Sequence, residues 1–195
     1  PGPTGTWGLG PLRITMTHPL KDLDDGLIER LAAIRLAVFD VDGVLTDGRV
    51  AYLGEEELQT FDVKDGQGLA LLSQASIELA WITGRGCRAT ELRAAEFGVH
   101  LHMHSGPKQE RLESVQEELG IGPEQTLAMG DDLADLALAS RAQVFCCPAD
   151  ARPEVRAAAH LVCTQGGGRG AVREVCEALL AAKGSWPPGA GGSCG

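Results

Sequence analysis

Leu36-Ala37-Val38-Phe39-Asp40-Val41-Asp42-Gly43-Val44-Leu45-Thr46-Asp47-Gly48 decides how the rest of the chain is read. A short apolar run bounded by turn residues reads as a buried strand, and two carboxylates one residue apart leave its end. Side chains alternate faces in extended chain, so Asp40 and Asp42 come to the same side. Gly43 and Gly48 let backbone amides approach an anion closely. Two acids beside accessible amides suit phosphoryl chemistry with a cation, although an Asp-rich turn after a strand is by itself also an ordinary cap or solvated loop.

Partners farther along the chain sharpen that reading. Ile82-Thr83-Gly84-Arg85, Lys108 and Met129-Gly130-Asp131-Asp132-Leu133-Ala134-Asp135 each follow or adjoin an apolar segment that reads as a strand. Apolar periodicity predicts a first helix over 22–34 and the strand over 36–40. Two short runs, 49–53 and 59–63, flank Gly54-Glu55-Glu56-Glu57 in a hairpin pattern. Helices over 69–74, 87–97, 107–119, 133–140 and 171–182 then alternate with strands over 78–82, 99–103, 126–129, 143–146 and 161–163. Such alternation predicts an α/β fold, a Rossmann-like parallel sheet with helices on both faces, because parallel neighbours need crossover connections. Ligands of such sheets bind beyond the carboxyl ends of the strands, where Asp40, Thr83, Lys108 and Asp131 are expected to converge. The stretches from Asp40 to Thr83 and from Lys108 to Asp131 leave no room for an inserted cap domain, so the fold is expected to be capless, with a small β-hairpin flap after the first strand and something else closing the site.

Composition bounds the function classes. The 195 residues suffice for one domain that buries ~70% of the surface its unfolded chain exposes. We expect that domain over 21–183, with a flexible arm over 1–20, in which Met16 is a sensible start for the folded part, and a Gly/Pro-rich tail over 184–195. A formal net charge of -10 disfavours a nucleic-acid surface, which would need clustered Lys and Arg. No apolar run approaches the ~20 residues of a membrane helix. The same acidity opposes a phosphorylated substrate: two unit charges 4 Å apart repel by ~4 kcal/mol at an effective dielectric of 20, so a carboxylate facing a phosphate calls for a divalent ion. Cys87, Cys146, Cys147, Cys163, Cys176 and Cys194 show no C-x-x-C pair, and their mostly apolar contexts suit free thiols in a reducing, cytoplasmic compartment. His100, His102 and His104 alternate along a predicted strand, a spacing able to chelate zinc. No carboxylate or cysteine nearby completes such a set, so histidines at a strand end or subunit contact are expected.

The ordered series of Asp pair, threonine, lysine and acidic cluster resembles the haloacid dehalogenase-like hydrolase superfamily. The resemblance narrows at Asp40 to Gly48, at Val63-Lys64-Asp65-Gly66-Gln67-Gly68-Leu69 and at Gly167-Gly168-Arg169-Gly170-Ala171-Val172-Arg173-Glu174. These are similar to the capless 3-deoxy-D-manno-octulosonate 8-phosphate phosphatase family of lipopolysaccharide sugar synthesis, over about 35–180. The family usually has a glycine four residues before its lysine, whereas Gly106 stands two before Lys108, with Pro107 between; Lys108 keeps the family's distance to Asp131, and Arg111 is its alternative.

The resemblance implies an aspartyl-phosphate mechanism with Mg²⁺ as cofactor. Asp40 is then the nucleophile and Asp42 the acid and base, with Thr83 and Lys108 on the transferring phosphoryl group. The metal ligands are Asp40, the backbone carbonyl of Asp42, and Asp131, oriented by Asp132 and Asp135. Substrate contacts are expected from Gly84, Lys64 and Arg85, and from Arg169 of an adjacent subunit. A homotetramer is implied, with the hairpin and a neighbour's carboxyl-terminal segment covering each site. Two alternatives stay open: a phosphatase for another phosphorylated sugar acid, such as a nonulosonate 9-phosphate, and a noncatalytic phosphatase-like tetramerisation module. The retained Asp42 disfavours the module, which has no need of an acid there.

Overall fold

A computed structural model describes residues 19–104 and 106–187. Met16, Cys194, the arm before residue 19 and the tail beyond residue 187 lie outside the described residues. The elements, in chain order, are α1 (Asp25–Ala33), β1 (Leu36–Phe39), the hairpin β2 (Ala51–Leu53) and β3 (Glu56–Leu58), α2 (Val63–Gln74), β4 (Glu78–Ile82), α3 (Arg88–Phe97), β5 (His100–His102), α4 (Lys108–Leu119), β6 (Thr126–Met129), α5 (Leu136–Ala139), β7 (Val144–Cys147), α6 (Pro153–Ala158), β8 (Leu161–Val162) and α7 (Ala171–Ala182).

Six strands form one sheet in the order β5-β4-β1-β6-β7-β8, and every pairing in it is parallel. β1 is central, with Val38 in register with Ala80 of β4 and Ala128 of β6. The chain runs outward from β1 to β4 and β5, returns to β6 on the other side, and continues to β7 and β8. The order therefore reverses beside β1, the place where open α/β sheets bind ligands. All four residues of β1 are buried, as a strand covered on both faces requires. Ala37, Phe39, Trp81 and Met129 pack with Leu31 of α1, Leu69 and Leu72 of α2, and Val175 and Leu179 of α7. The alternate residues Leu36, Val38, Ala80, Ile82 and Ala128 pack with Leu112 of α4, Leu138 of α5 and Val155 of α6. The expected parallel sheet with helices on both faces is thus present, and among the described residues a wide turn at Val41–Leu45, the hairpin and α2 separate β1 from β4.

Several local expectations need correction. The second hairpin strand is Glu56–Leu58 rather than 59–63, and β2 and β3 pair antiparallel across Gly54-Glu55. Residue 63 instead opens α2, with Asp62 capping it by accepting the N–H of Lys64 at 2.7 Å. The helix expected over 133–140 is a tight turn at Leu133–Asp135 followed by the short α5. α6 was not anticipated from the sequence. β5 ends at His102, and His104 lies beyond it with φ +49°, so the three histidines do not share one strand face. No helix among the described residues is long and apolar enough to cross a membrane.

Candidate active site

β1 delivers Asp40 to the carboxyl edge of the sheet, where its N–H donates to the carbonyl of Met129 at 3.0 Å. The chain then makes one wide turn, closed by the N–H of Thr46 donating to the carbonyl of Val41 at 3.0 Å. Gly43 sits in this turn at φ +87°, and a Cβ there would collide with the carboxylate of Asp131. Glycine is thereby required twice, for its backbone conformation and for the close approach of the two acid-bearing loops. Glycines also brace the turn from behind. The N–H of Gly168 donates to the carbonyl of Val44 at 2.9 Å, and a Cβ at Gly167 or Gly168 would strike the backbone of Gly43 or Thr46.

A cleft of 330 Å³ opens at this edge, lined by Asp40, Asp42, Thr83, Gly84, Arg85, Lys108, Asp131, Asp132 and Asp135 among others. Lys108, the first residue of α4, puts Nζ 2.8 Å from Asp40 Oδ1 and also bonds Asp135 Oδ1. Pro107 immediately before it occupies the N-cap position of that helix, and the altered lead-in still delivers the lysine. Asp135 is wholly buried, and its other oxygen accepts the N–H groups of Asp131 at 3.0 Å and Asp132 at 3.1 Å. The side chain of Asp132 caps the turn that follows, by accepting the N–H of Leu133 at 2.7 Å.

One oxygen from each of Asp40, Asp131 and Asp135 lies within 4.8 Å of the other two. An all-carboxylate set of this size fits a hard divalent cation. Asp135 spends both oxygens on Lys108 and two backbone amides, and Asp40 spends one of its own on Lys108. Burial and the neighbouring Asp135 charge push the Asp40 carboxyl up to about 7, against the pull of Lys108. Burial, then Asp135 and Asp132, push Asp131 up to about 7 as well. Burial alone would lower Lys108, yet Asp40 and Asp135 together hold it above its ordinary range. The cleft therefore carries an excess of negative charge that a bound cation would offset.

Asp42 is half-buried on the hairpin side of the cleft. Its Oδ2 lies 3.5 Å from Thr83 Oγ1 and 4.0 Å from Arg85 Nε. Thr83 follows β4 and its Oγ1 also accepts the N–H of Arg85 at 3.1 Å. Arg85 in turn forks onto Glu57 of the hairpin at 3.0 and 3.1 Å.

Lys64, an expected substrate contact, lies elsewhere within the chain, together with Arg169, which is expected to reach the site of an adjacent subunit. Lys64 and Arg169 line a separate cavity of 520 Å³ with Arg173, Thr164 and Glu177, and neither lines the acid cleft. Asp65 beside Lys64 is buried and accepts the N–H groups of Arg173 at 2.7 Å and Gly170 at 3.3 Å, capping α7. Gln59, which donates to Asp42, and Thr90, which bonds Gln59, belong to the site without any sign in the sequence; neutral polar residues in no motif give no signal before the chain folds. Among the described cysteines, Cys146, Cys147, Cys163 and Cys176 are buried and free, and burial raises all four thiols, Cys147 to about 11.

A parallel sheet with an Asp-x-Asp turn after its central strand, a lysine reaching it, and an acidic turn one strand over defines the haloacid dehalogenase-like hydrolases. A family model of that description matches residues 92–173. The 3-deoxy-D-manno-octulosonate 8-phosphate phosphatase of Yersinia pestis is 41% identical over 162 residues, 82% of this chain and 86% of that protein. The chain belongs to this phosphatase family. Solved relatives agree with the fold. The Moraxella catarrhalis phosphatase, in complex with magnesium, phosphate and KDO, gives a TM-score of 0.79 at 37% identity and covers 83% of this chain and 95% of its own. The cobalt-bound Haemophilus influenzae phosphatase gives 0.78 at 33% identity, covering 80% and 92%.

Proposed function

We propose that the protein hydrolyses 3-deoxy-D-manno-octulosonate 8-phosphate to the free sugar acid and phosphate, with Mg²⁺ as cofactor. The observation that carries this reading is the buried Asp40, tied to Lys108 and close enough to Asp131 to share a cation. Asp40, Asp131 and the backbone carbonyl of Asp42 would hold the metal, oriented by Asp132 and Asp135. When bound, it neutralises acid and phosphate charge so that the two can meet.

An oxygen of Asp40 attacks phosphorus while the bond from phosphorus to the sugar oxygen breaks. Asp42 gives its proton to that oxygen, which leaves as the alcohol. Water then attacks the phosphoryl group on Asp40 and passes a proton to Asp42, which releases phosphate and restores both acids. Thr83 and the adjoining Gly84 backbone donate to the phosphoryl oxygens. Lys108 adds a fixed charge there and keeps Asp40 in its attacking orientation. Arg85 meets the sugar acid's carboxylate. Lys64 and Arg169, which do not line the cleft of their own chain, would serve the cleft of a neighbour in a homotetramer. The substrate for which the relatives are named and the match in fold support the choice of sugar acid.

The test is phosphate release from a panel of eight- and nine-carbon phosphorylated sugar acids, with and without Mg²⁺. Metal-dependent turnover favouring the eight-carbon substrate is expected. Preference for a nine-carbon substrate, or turnover indifferent to chelation, would overturn the assignment.

A further inference from the structure

Asp42 must present one particular oxygen to the leaving group, and a half-buried carboxylate on a turn is free to rotate unless something holds it. Gln59, the residue after β3, supplies that hold: its Nε2 donates to Asp42 Oδ1 at 3.1 Å. The opposite end of the same amide, Oε1, accepts from Thr90 Oγ1 at 2.5 Å and from Cys87 Sγ at 3.4 Å. Thr90 is fully buried on α3, and its oxygen also accepts the N–H of Cys87 at 3.3 Å, which leaves its own proton for Gln59. Whether Asp42 is ionised or carries its proton on Oδ2, its Oδ1 only accepts, while the hydroxyl and thiol can both donate, so the amide has one satisfactory orientation. We infer that Gln59 is a positioning residue: pinned by Thr90 and Cys87, it occupies Asp42 Oδ1 and leaves Oδ2, beside Thr83, as the oxygen that exchanges a proton with the substrate.

Gln59 and Glu57 are two residues apart in extended chain and so lie on one side of it. Glu57 grips Arg85 as Gln59 grips Asp42. The hairpin is thereby fastened to the cleft at two points, and one of them sets the orientation of the acid. The fold uses a flap residue to aim the group that protonates the leaving oxygen.

The inference rests on the role proposed for Asp42, and leaving-group chemistry separates the two. An alkyl oxygen needs a proton to depart, whereas p-nitrophenolate leaves without one. The value of kcat/KM, which reports the steps up to departure, is measured with Mg²⁺ on 3-deoxy-D-manno-octulosonate 8-phosphate and on p-nitrophenyl phosphate. Wild type is compared with Asp42→Asn, Gln59→Met and Thr90→Val. The last two keep side-chain size, and Gln59 is half-exposed, so the fold does not hang on its amide. Asp42→Asn should lose activity on the sugar phosphate far more than on the aryl ester. Gln59→Met and Thr90→Val should repeat that selective loss in weaker form, about tenfold on the sugar phosphate and within about twofold on the aryl ester. Equal losses on both substrates, or none, beside a selective Asp42→Asn would overturn the positioning role and leave the hydrolase reading intact. An inert wild type, or an unselective Asp42→Asn, would overturn both.

Discussion

Gly43 concentrates the demands that the site makes on single residues. Its φ of +87° lies in the left-handed region, and its missing Cβ is the space into which the Asp131 carboxylate fits. A substitution there strains the turn and pushes apart two acids that would share a cation. Gly43→Ala is expected to cost at least ~1 kcal/mol of stability from the backbone alone. It should also cost about 100-fold in metal-dependent turnover, since a misplacement on the order of 1 Å has that effect. Thermal melting and phosphate-release assays check the two effects. Wild-type turnover in the alanine variant would show that the loops can part without consequence.

The elements differ in how openly the sequence declares them. β1, β4 and β6 are legible because a strand buried on both faces must be an apolar run, and each carries its chemistry at its end. The first half of α2 is not legible, because Val63-Lys64-Asp65-Gly66-Gln67-Gly68 holds two poor helix formers. Their reason is tertiary. A Cβ at Gly66 would meet Arg93 and Phe97, and one at Gly68 would press on Cys176 and Arg173 of α7. α6 is short and mostly polar or small outside Val155, so periodicity gives it little signal. Within the site, Asp40, Asp42, Thr83, Lys108 and Asp131 could be named from strand ends and motif order. Gln59 and Thr90 could not, because their part depends on contacts across 31 residues of chain.

Asp65 joins α2 to α7 and gives that junction a pH dependence. Burial raises its carboxyl to about 6, against the two backbone N–H groups that favour its charge. The folded pKa lies above the unfolded value, so the native state holds the proton more tightly. The associated stability is complete below about pH 4 and is lost as pH rises through 6. Relative to Asp65→Asn, which cannot ionise, the wild type should therefore lose on the order of 2 kcal/mol between pH 4 and pH 6.5. Urea unfolding of both proteins across that range gives the difference directly. Parallel stability curves would contradict a buried, proton-holding Asp65.

At the level of the full chain, the hairpin is the part least accounted for by one copy. Tyr52 and Leu53 are 66% and 69% exposed, and Val63 at the start of α2 is 78% exposed. Large apolar side chains exposed on and beside the flap would suit an interface. In the proposed homotetramer that interface is with a second copy, and it substitutes for the cap that the short connections leave out. Light scattering should give the mass of four chains, and a Tyr52→Lys, Leu53→Lys double variant should give a smaller particle with weakened turnover. A fully active monomer would remove the intersubunit lid from the account.

Everything proposed for the cleft requires the phosphoryl group to pass through Asp40. Acid-quenching the enzyme during turnover of 3-deoxy-D-manno-octulosonate 8-phosphate with Mg²⁺, then mapping its peptides by mass spectrometry, observes that passage. The peptide containing Asp40 is expected to gain the mass of one phosphoryl group, and Asp40→Asn to neither gain it nor turn over. Phosphate carried by a different residue, or metal-dependent turnover retained by Asp40→Asn, would contradict the account.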